Sequence, residues 1–452
     1  MNPKLPVGID AMAFYVPPIY LDLQTLAPAR NLDYDKLSKG LGVLKMALPD
    51  TCEDAASLAA NAVWNLITRY EIDPSTIGRL YVGTESGLDG SKPIATYVLE
   101  MLNAHWQKEN QPAKQFTSRC DALDMTFACI GGVDALQNTL DWVHRGQGRV
   151  GIVVCTDYAK YDKFSGGEYT QGAGAVAMLI KQDPRLLAIS DVWGVSTKSE
   201  HDFFKPGYSE TPVFDGQFSN ACYQTRLADA YADFTKQAIA AGLYAPGQIL
   251  SEAWHSLIFH LPYAFHGKRM FPEIFVAERQ QDPGNETLAA LLQLEPGAVS
   301  QLSAADLVKT VAKSAVYADF VAKKIAAGQL ASAQIGNMYT ASIFMGLMSC
   351  LETHYAQGQD LTHQKIGFCA YGSGSKSKVF EAVVQPEHRQ IVAKFEIFAA
   401  LAQRQPIDLA EYEQLHDKAL DRPLASHAQS FVLANIASEP DTLKGARFYN
   451  RA

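Results

Sequence analysis

Cys129 lies in Asp124-Met-Thr-Phe-Ala-Cys-Ile-Gly-Gly132, where a strand-like run stops and a helical pattern begins. A thiol at such a junction faces free backbone N–H groups and the positive end of a helix dipole, which favour thiolate over thiol. The two glycines after it are expected to let a substrate approach closely. An isolated cysteine is more often inert core; the strand, Cys, Gly-Gly, helix context marks this one as a nucleophile. His260, in Phe259-His-Leu-Pro262, ends an apolar run just before a proline, a place from which an imidazole can serve a cleft as acid, base or hydrogen-bond donor. His255 and His266 compete with it. Glu85, in Gly83-Thr-Glu-Ser86, follows another apolar run, and a carboxylate there can be pushed toward neutrality and exchange protons at physiological pH. Asn337, in Gly336-Asn-Met-Tyr-Thr340, is by itself a turn residue that gains weight only from this company.

These residues need elements to hold them. Ala59, Ala62, Val63, Leu66, Ile67 and Tyr70 recur at helical spacing, and Val133, Leu136, Leu140 and Val143 form a second stripe over 131–143. Strands are predicted at 79–83, 122–127, 150–156 and 172–180, then at 256–259 and 366–371. Helices are predicted near 304–327 and 338–352, the first capped by Ser303 and Asp306 and stopped by Gly328. Residues 205–216 read as a loop, and beyond about residue 400 only 431–436 reads as a strand. In both halves an apolar strand meets a Gly-x-Gly, at Gly172-Ala-Gly174 and Gly372-Ser-Gly374, which suits a duplicated α/β unit.

At 452 residues, 48% hydrophobic and 19% charged, the chain has room for two fused halves and a large core. Its net charge of −9 disfavours nucleic acid as a partner. Lys4 and Asp10 interrupt the first twenty residues, so neither a signal peptide nor a membrane span is expected, and the cytoplasm is the expected compartment. Seven scattered cysteines without a C-x-x-C pair argue against disulfides and zinc knuckles. No G-x-G-x-x-G, H-E-x-x-H or G-x-S-x-G occurs where nicotinamide, zinc-protease or serine-hydrolase chemistry would need it.

Together these segments resemble the 3-hydroxy-3-methylglutaryl-CoA synthase family. The blocks that carry the likeness are Gly8-Ile-Asp10, Gly83-Thr-Glu-Ser86, Ala128-Cys129 with Gly131-Gly132, Gly166-Gly-Glu168 with Gln171-Gly-Ala-Gly-Ala175, and Asp202-Phe-Phe-Lys-Pro206. Asp215-Gly216, Phe259-His-Leu-Pro262, Gly336-Asn-Met-Tyr-Thr340 and Tyr371-Gly-Ser-Gly374 complete the set.

The resemblance implies a thiolase-like fold of two duplicated α/β halves in an αβαβα body: an N-terminal half over 1–190, connecting segments over 191–250, a C-terminal half over 251–400, and an extension over 401–452 that completes the second half. It implies a homodimer that condenses acetyl-CoA with acetoacetyl-CoA in the mevalonate pathway, with no metal or redox cofactor. Cys129 would be acetylated, Glu85 would take a proton from the acetyl methyl, and His260 would hold the thioester oxygen of acetoacetyl-CoA. The N–H groups of Cys129 and Ser373 would form an oxyanion hole. Tyr161, Thr170, Ser219 and Asn337 would line the cleft, and Asp33 and Tyr34 would fall where an N-terminal loop meets the ligand.

Three positions depart from the family pattern. Ile130 replaces a tyrosine, Tyr169 a proline and Phe265 a lysine. The first two are expected to alter the cleft wall, and the third leaves Lys268 and Arg269 as candidates for the CoA phosphates. Three other readings compete: a relative acting on carrier-bound β-ketoacyl chains in polyketide assembly, a thiolase or ketoacyl synthase using Cys129, His260 and Asn337 alone, and a non-catalytic binder on the same scaffold. Glu85 argues against the second of these.

Overall fold

The computed structural model describes residues 5–280 and 285–452, so Met1 to Lys4 lie outside the described part of the N-terminal half. Nine strands, most of them apolar runs, form one mixed sheet: β1 Val7–Tyr15, β2 Ile77–Gly83, β3 Asp121–Met125, β4 Val150–Ala159, β5 Gly172–Gln182, β6 Leu187–Thr197, β7 Ser256–Phe259, β8 Lys365–Gly372 and β9 Lys376–Val384. Their order across the sheet is β7-β8-β9-β6-β1-β5-β4-β2-β3. β3, β2 and β4 run parallel, while β5 and β1 continue antiparallel. The other end repeats the scheme: β7 and β8 run parallel and β9 and β6 antiparallel, with no counterpart of β3 among the described residues. Within the sheet, the described residues join the two units through the pairs Gly8 with Ala188 and Ile9 with Leu187. This is the duplicated, thiolase-like α/β body that the sequence leads one to expect.

Helices complete the layers. Helix Ala55–Arg69 packs on β1, β5 and β4, its start fixed by a reciprocal cap between Asp54 and Ser57. Helix Gly216–Ala240 packs on β6, β9 and β8. Helix Gly131–His144 leans on β2, β4 and β5, and its Gly132 lies against Thr340 and Phe344 at the start of helix Ser342–Ala356. That last helix buries Ile343, Phe344, Leu347, Met348 and Leu351 on every side, as a helix enclosed between layers must. Each such side chain contributes about 1.5–3 kcal/mol on leaving water. Among the described residues, no helix is long and apolar enough to cross a membrane.

Several expectations need correction. The strand expected to reach Phe127 ends at Met125, because the chain turns there to present Cys129. The single helix expected over 304–327 is three helices, Ala304–Lys313, Ala315–Lys324 and Ala326–Ile335, divided at Ser314 and Ile325. Ser303 does cap the first, accepting from the Asp306 N–H at 3.1 Å, but Gly328 is no stop. It sits inside the third helix, where its missing side chain lets Gly346 of the neighbouring helix come close.

The segment beyond 400 holds more than one strand. Gln405–Ile407 pairs in parallel with Ile19–Leu21, Leu409–His416 is a helix, and Phe431–Ile436 pairs with Arg447–Arg451. Nor does this extension complete the second half. It folds back on the first, where Asn61 exchanges hydrogen bonds with the Phe431 backbone and Asp54 accepts from Arg447 and Tyr449.

Candidate active site

The nucleophile turn is built from its glycines outward. A side chain on Gly132 would come within 2.4 Å of Cys155 Sγ, and one on Gly83, at the end of β2, would strike the Gly132 backbone. These glycines therefore let helix 131–144 sit hard against the sheet, and packing, rather than the substrate approach expected for Gly131 and Gly132, accounts for them. Ala128 takes φ 41°, a left-handed conformation that costs free energy in a non-glycine residue and that clusters at functional turns. The turn delivers Cys129, 7% exposed, to the floor of a cavity of about 450 Å3.

Glu85 meets the nucleophile from the end of β2. Cys129 Sγ donates to Glu85 Oε1 at 2.9 Å. Burial, and then the charge of Asp157, push the Glu85 carboxyl up to about 8. Burial and the Glu85 charge push the Cys129 thiol well above its usual value. Thiolate was the expected state at a helix start; desolvation and an adjacent carboxylate outweigh the dipole, so the resting nucleophile is a thiol. Glu85 is not among the residues that line the cavity and meets it at the Cys129 sulfur.

His260 closes β7, buried and lining the same cavity. Its Nδ1 pairs with Ser342 Oγ at 2.7 Å, while the Leu261 N–H donates to that oxygen at 3.1 Å. The hydroxyl hydrogen is free to go to Nδ1, and that tautomer leaves an Nε2–H for a ligand. Burial pushes His260 down to about 3, so it acts as a neutral donor.

Two buried aspartates to which the sequence reasoning gave no role hold this assembly. Asp157 Oδ1 accepts from the Glu85 N–H at 2.9 Å and Ser86 Oγ at 2.8 Å, while its Oδ2 accepts from the Thr340 N–H at 3.0 Å and Thr340 Oγ1 at 2.5 Å. Asp202 accepts from Tyr371 Oη at 2.6 Å and the Gly374 N–H at 2.8 Å, which fixes the loop that carries Ser373. That loop is close to the nucleophile turn, since a side chain on Gly372 would lie 2.8 Å from the Ile130 nitrogen and the Phe127 oxygen. Asp157 had one legible signal, a charge at the end of a fully apolar strand. Ser342 had none.

The structure brings Tyr161, Thr170, Ser219, Asn337 and Ser373 to the cavity with Cys129 and His260. Phe203, Phe214 and Tyr339, also unassigned from sequence, pack with Tyr161 around the sulfur. Arg269 lines the cavity, whereas Lys268 is laid over the Phe265 ring, 3.3 Å from its centroid, and does not. Asp33 is exposed and Tyr34 half-buried outside the cavity, and that N-terminal loop contributes Leu41 instead. Tyr169 does form cavity wall, while Ile130 is wholly buried beneath Gly372.

A thiol paired with a carboxyl, on a duplicated thiolase-like body, defines an acyltransferase that works through a thioester. Two family models cover nearly the whole chain: Hydroxymethylglutaryl-coenzyme A synthase N terminal over residues 3–184, and Hydroxymethylglutaryl-coenzyme A synthase C terminal over 189–435. The chain belongs to the hydroxymethylglutaryl-CoA synthase family. It is 31% identical over 427 residues to the hydroxymethylglutaryl-CoA synthase of Haloferax volcanii, covering 91% of each chain. Against that of Enterococcus faecalis it is 29% identical, covering 98% of this chain and 99% of the relative. The solved structure of MvaS in complex with 3-hydroxy-3-methylglutaryl coenzyme A superposes with a TM-score of 0.85 at 31% identity, over 99% of this chain and 100% of that one. The HMG synthase of the curacin biosynthetic pathway, in complex with acetyl donor-ACP, has a TM-score of 0.79 at 22% identity over 99% of this chain and 100% of that one, a likeness of fold.

Proposed function

We propose that this chain condenses acetyl-CoA with acetoacetyl-CoA and water to give 3-hydroxy-3-methylglutaryl-CoA and CoA, through acetyl-Cys129. The observation that carries this reading is the 2.9 Å contact between Cys129 Sγ and Glu85 at the floor of the cavity that His260 lines. Cys129 Sγ attacks the acetyl carbonyl carbon, the carbon–sulfur bond to CoA breaks, and the thiol proton leaves with the CoA sulfur. Ionised Glu85, a stronger base at about 8 than an ordinary glutamate, then removes a methyl proton from the acetyl group. The resulting enolate oxygen is held by the N–H groups of Cys129 and Ser373, a stabilisation typically worth about 10²–10³ in rate per donor. Its carbon attacks the ketone of acetoacetyl-CoA, the ketone oxygen takes up the proton that Glu85 carries, and His260 Nε2–H holds the thioester oxygen. Water then hydrolyses the thioester to Cys129. Covalent attachment keeps the carbanion beside its electrophile. No step requires a metal or redox cofactor.

The reading extends to the setting of the enzyme. Arg269 on the cavity wall suits a CoA phosphate. The outer edge of β3 is unpaired among the described strands and carries Leu123 at 44% exposure, which supports pairing with a second copy in a homodimer. Seven free thiols fit the reducing cytoplasm. In the direct test, the protein is mixed with acetyl-CoA and the peptide containing Cys129 is weighed. One acetyl increment, discharged on adding acetoacetyl-CoA with formation of the six-carbon product, supports the reading. An unmodified Cys129 in folded protein, or turnover of carrier-protein-bound acetoacetate alone, overturns it.

A further inference from the structure

His266 is a second histidine of this cavity, and the chemistry above does not use it. Its ring is 2% exposed, and neither Nδ1 nor Nε2 has a hydrogen-bond partner. It is held edge-on between two phenol rings, with centroids 4.5 Å from Tyr223 and 4.8 Å from Tyr263. An imidazole walled in this way has one donor and one acceptor that lost water and gained nothing, an arrangement that folded proteins avoid unless something else supplies the partner. Burial, together with the nearby Arg269 charge, keeps the ring neutral, so both functions persist at physiological pH.

Its place along the cavity says what the partner is. On the cavity wall, ring contacts run from His260 through Tyr223 to His266 and on through Tyr263 to Arg269, which is exposed, so His266 lies between the thioester end at His260 and the solvent end at Arg269. Tyr223 touches both imidazoles, His260 at 6.4 Å and His266 at 4.5 Å between centroids. If the cavity holds a CoA thioester as proposed above, what passes this wall is the pantetheine arm, whose two amides each present a carbonyl and an N–H. Leu41, Pro262 and the Tyr169 and Tyr263 rings offer such an amide little polar company.

We propose that His266 is a positioning residue that hydrogen-bonds an amide of the pantetheine arm and so sets the thioester against Cys129 and His260. A turn of the ring between the two phenols presents a nitrogen to the arriving amide. The same arm is carried by CoA and by acyl-carrier proteins, so the contact serves either source.

The test compares wild type with His266→Met and His266→Gln on acetoacetyl-CoA and on an amide-free alkyl thioester of acetoacetate, using enzyme pre-acetylated at Cys129. On the CoA ester, His266→Met is expected to lower kcat/KM about tenfold, mostly through KM, and His266→Gln, which keeps a donor and an acceptor, to recover most of that loss. On the amide-free ester, all three proteins should perform alike. In wild type, the His266 ring 15N resonances should shift when CoA is added, a readout that needs no folded variant. Unchanged KM on the CoA ester, an equal loss on the amide-free ester, or still resonances would each overturn the proposal. Acetylation of wild-type Cys129 scores the underlying reading separately.

Discussion

Cys129 donates its thiol hydrogen to Glu85, so once the carboxyl is ionised, nucleophile and base hold one proton between them before any ligand arrives. Acylation of the sulfur removes that hydrogen bond. It also removes one of the influences that lower the Glu85 value, leaving a carboxylate with greater appetite for a proton beside the new methyl group.

Replacing Glu85 by Gln should separate the two half-reactions. The variant keeps an amide oxygen to accept the thiol hydrogen but holds it more weakly, and it loses the negative charge that raises the thiol, changes that oppose each other in acetylation. Acetyl-Cys129 should form within about tenfold of the wild-type rate, whereas carbon–carbon bond formation should fall by about 10³ or more, for want of a base. Rapid-quench mass spectrometry follows the first and product formation the second. Equal losses in both would show that Glu85 serves the thiol alone.

The pH dependence should carry the mark of one carboxyl. Glu85 must be ionised to accept the methyl proton, so condensation by pre-acetylated enzyme is slow below its value and rises through it to a plateau. With the carboxyl at about 8 in the free protein, and the thiol bond gone after acylation, the limb is expected at pH 8 or above. His260, pushed down to about 3, should contribute no limb near the usual histidine range. A single-turnover pH profile, repeated on Glu85→Gln, checks both statements.

Ser342 holds the His260 ring through Nδ1 and is not among the residues that line the cavity. Ser342→Ala frees Nδ1 to take the ring proton and leaves the Leu261 N–H without its acceptor. Condensation is expected to fall about 10- to 100-fold, the range typical of losing a group that orients a catalytic histidine. Acetylation should hold to within about threefold, since His260 has no part in it on this reading. Stopped-flow measurement of each half-reaction decides it.

Gly132→Ala tests the packing account of the nucleophile turn. The added methyl would lie 2.4 Å from Cys155 Sγ and 3.1 Å from the Thr340 oxygen, and backbone cannot yield as a flexible side chain can. A loss of about 1–3 kcal/mol in unfolding free energy is expected, read from denaturant titration. A neutral result would mean that the helix has slack and that the glycine serves the ligand.

The parts legible in the sequence were those whose cause is local. Strand Ser256–Phe259 and the start of helix Gly131–His144 follow directly from apolar runs and their punctuation. Gly328 misled because a glycine that ends a helix and one that lets two helices touch look alike in one dimension. The resting state of Cys129 misled for a related reason: the helix start is written nearby, whereas the burial and the carboxyl 44 residues away that override it are not. Likewise the hydroxyl that orients His260 comes from 82 residues further on, in a segment with no distinguishing composition. The extension beyond 400 was expected to join the nearer half in sequence, yet its partners Asn61 and Asp54 lie in the first.

Asp157 gives one carboxylate oxygen to the Glu85 loop of the first unit and the other to Thr340 of the second. A hinge opening between the units would have to break these buried bonds at the reaction centre itself, at a cost comparable to unfolding the site. Turnover must therefore proceed on a clamped frame. Any movement that substrate traffic needs then falls to the wall segments that contribute Leu41, Phe203 and Phe214 rather than to a breathing of the two halves.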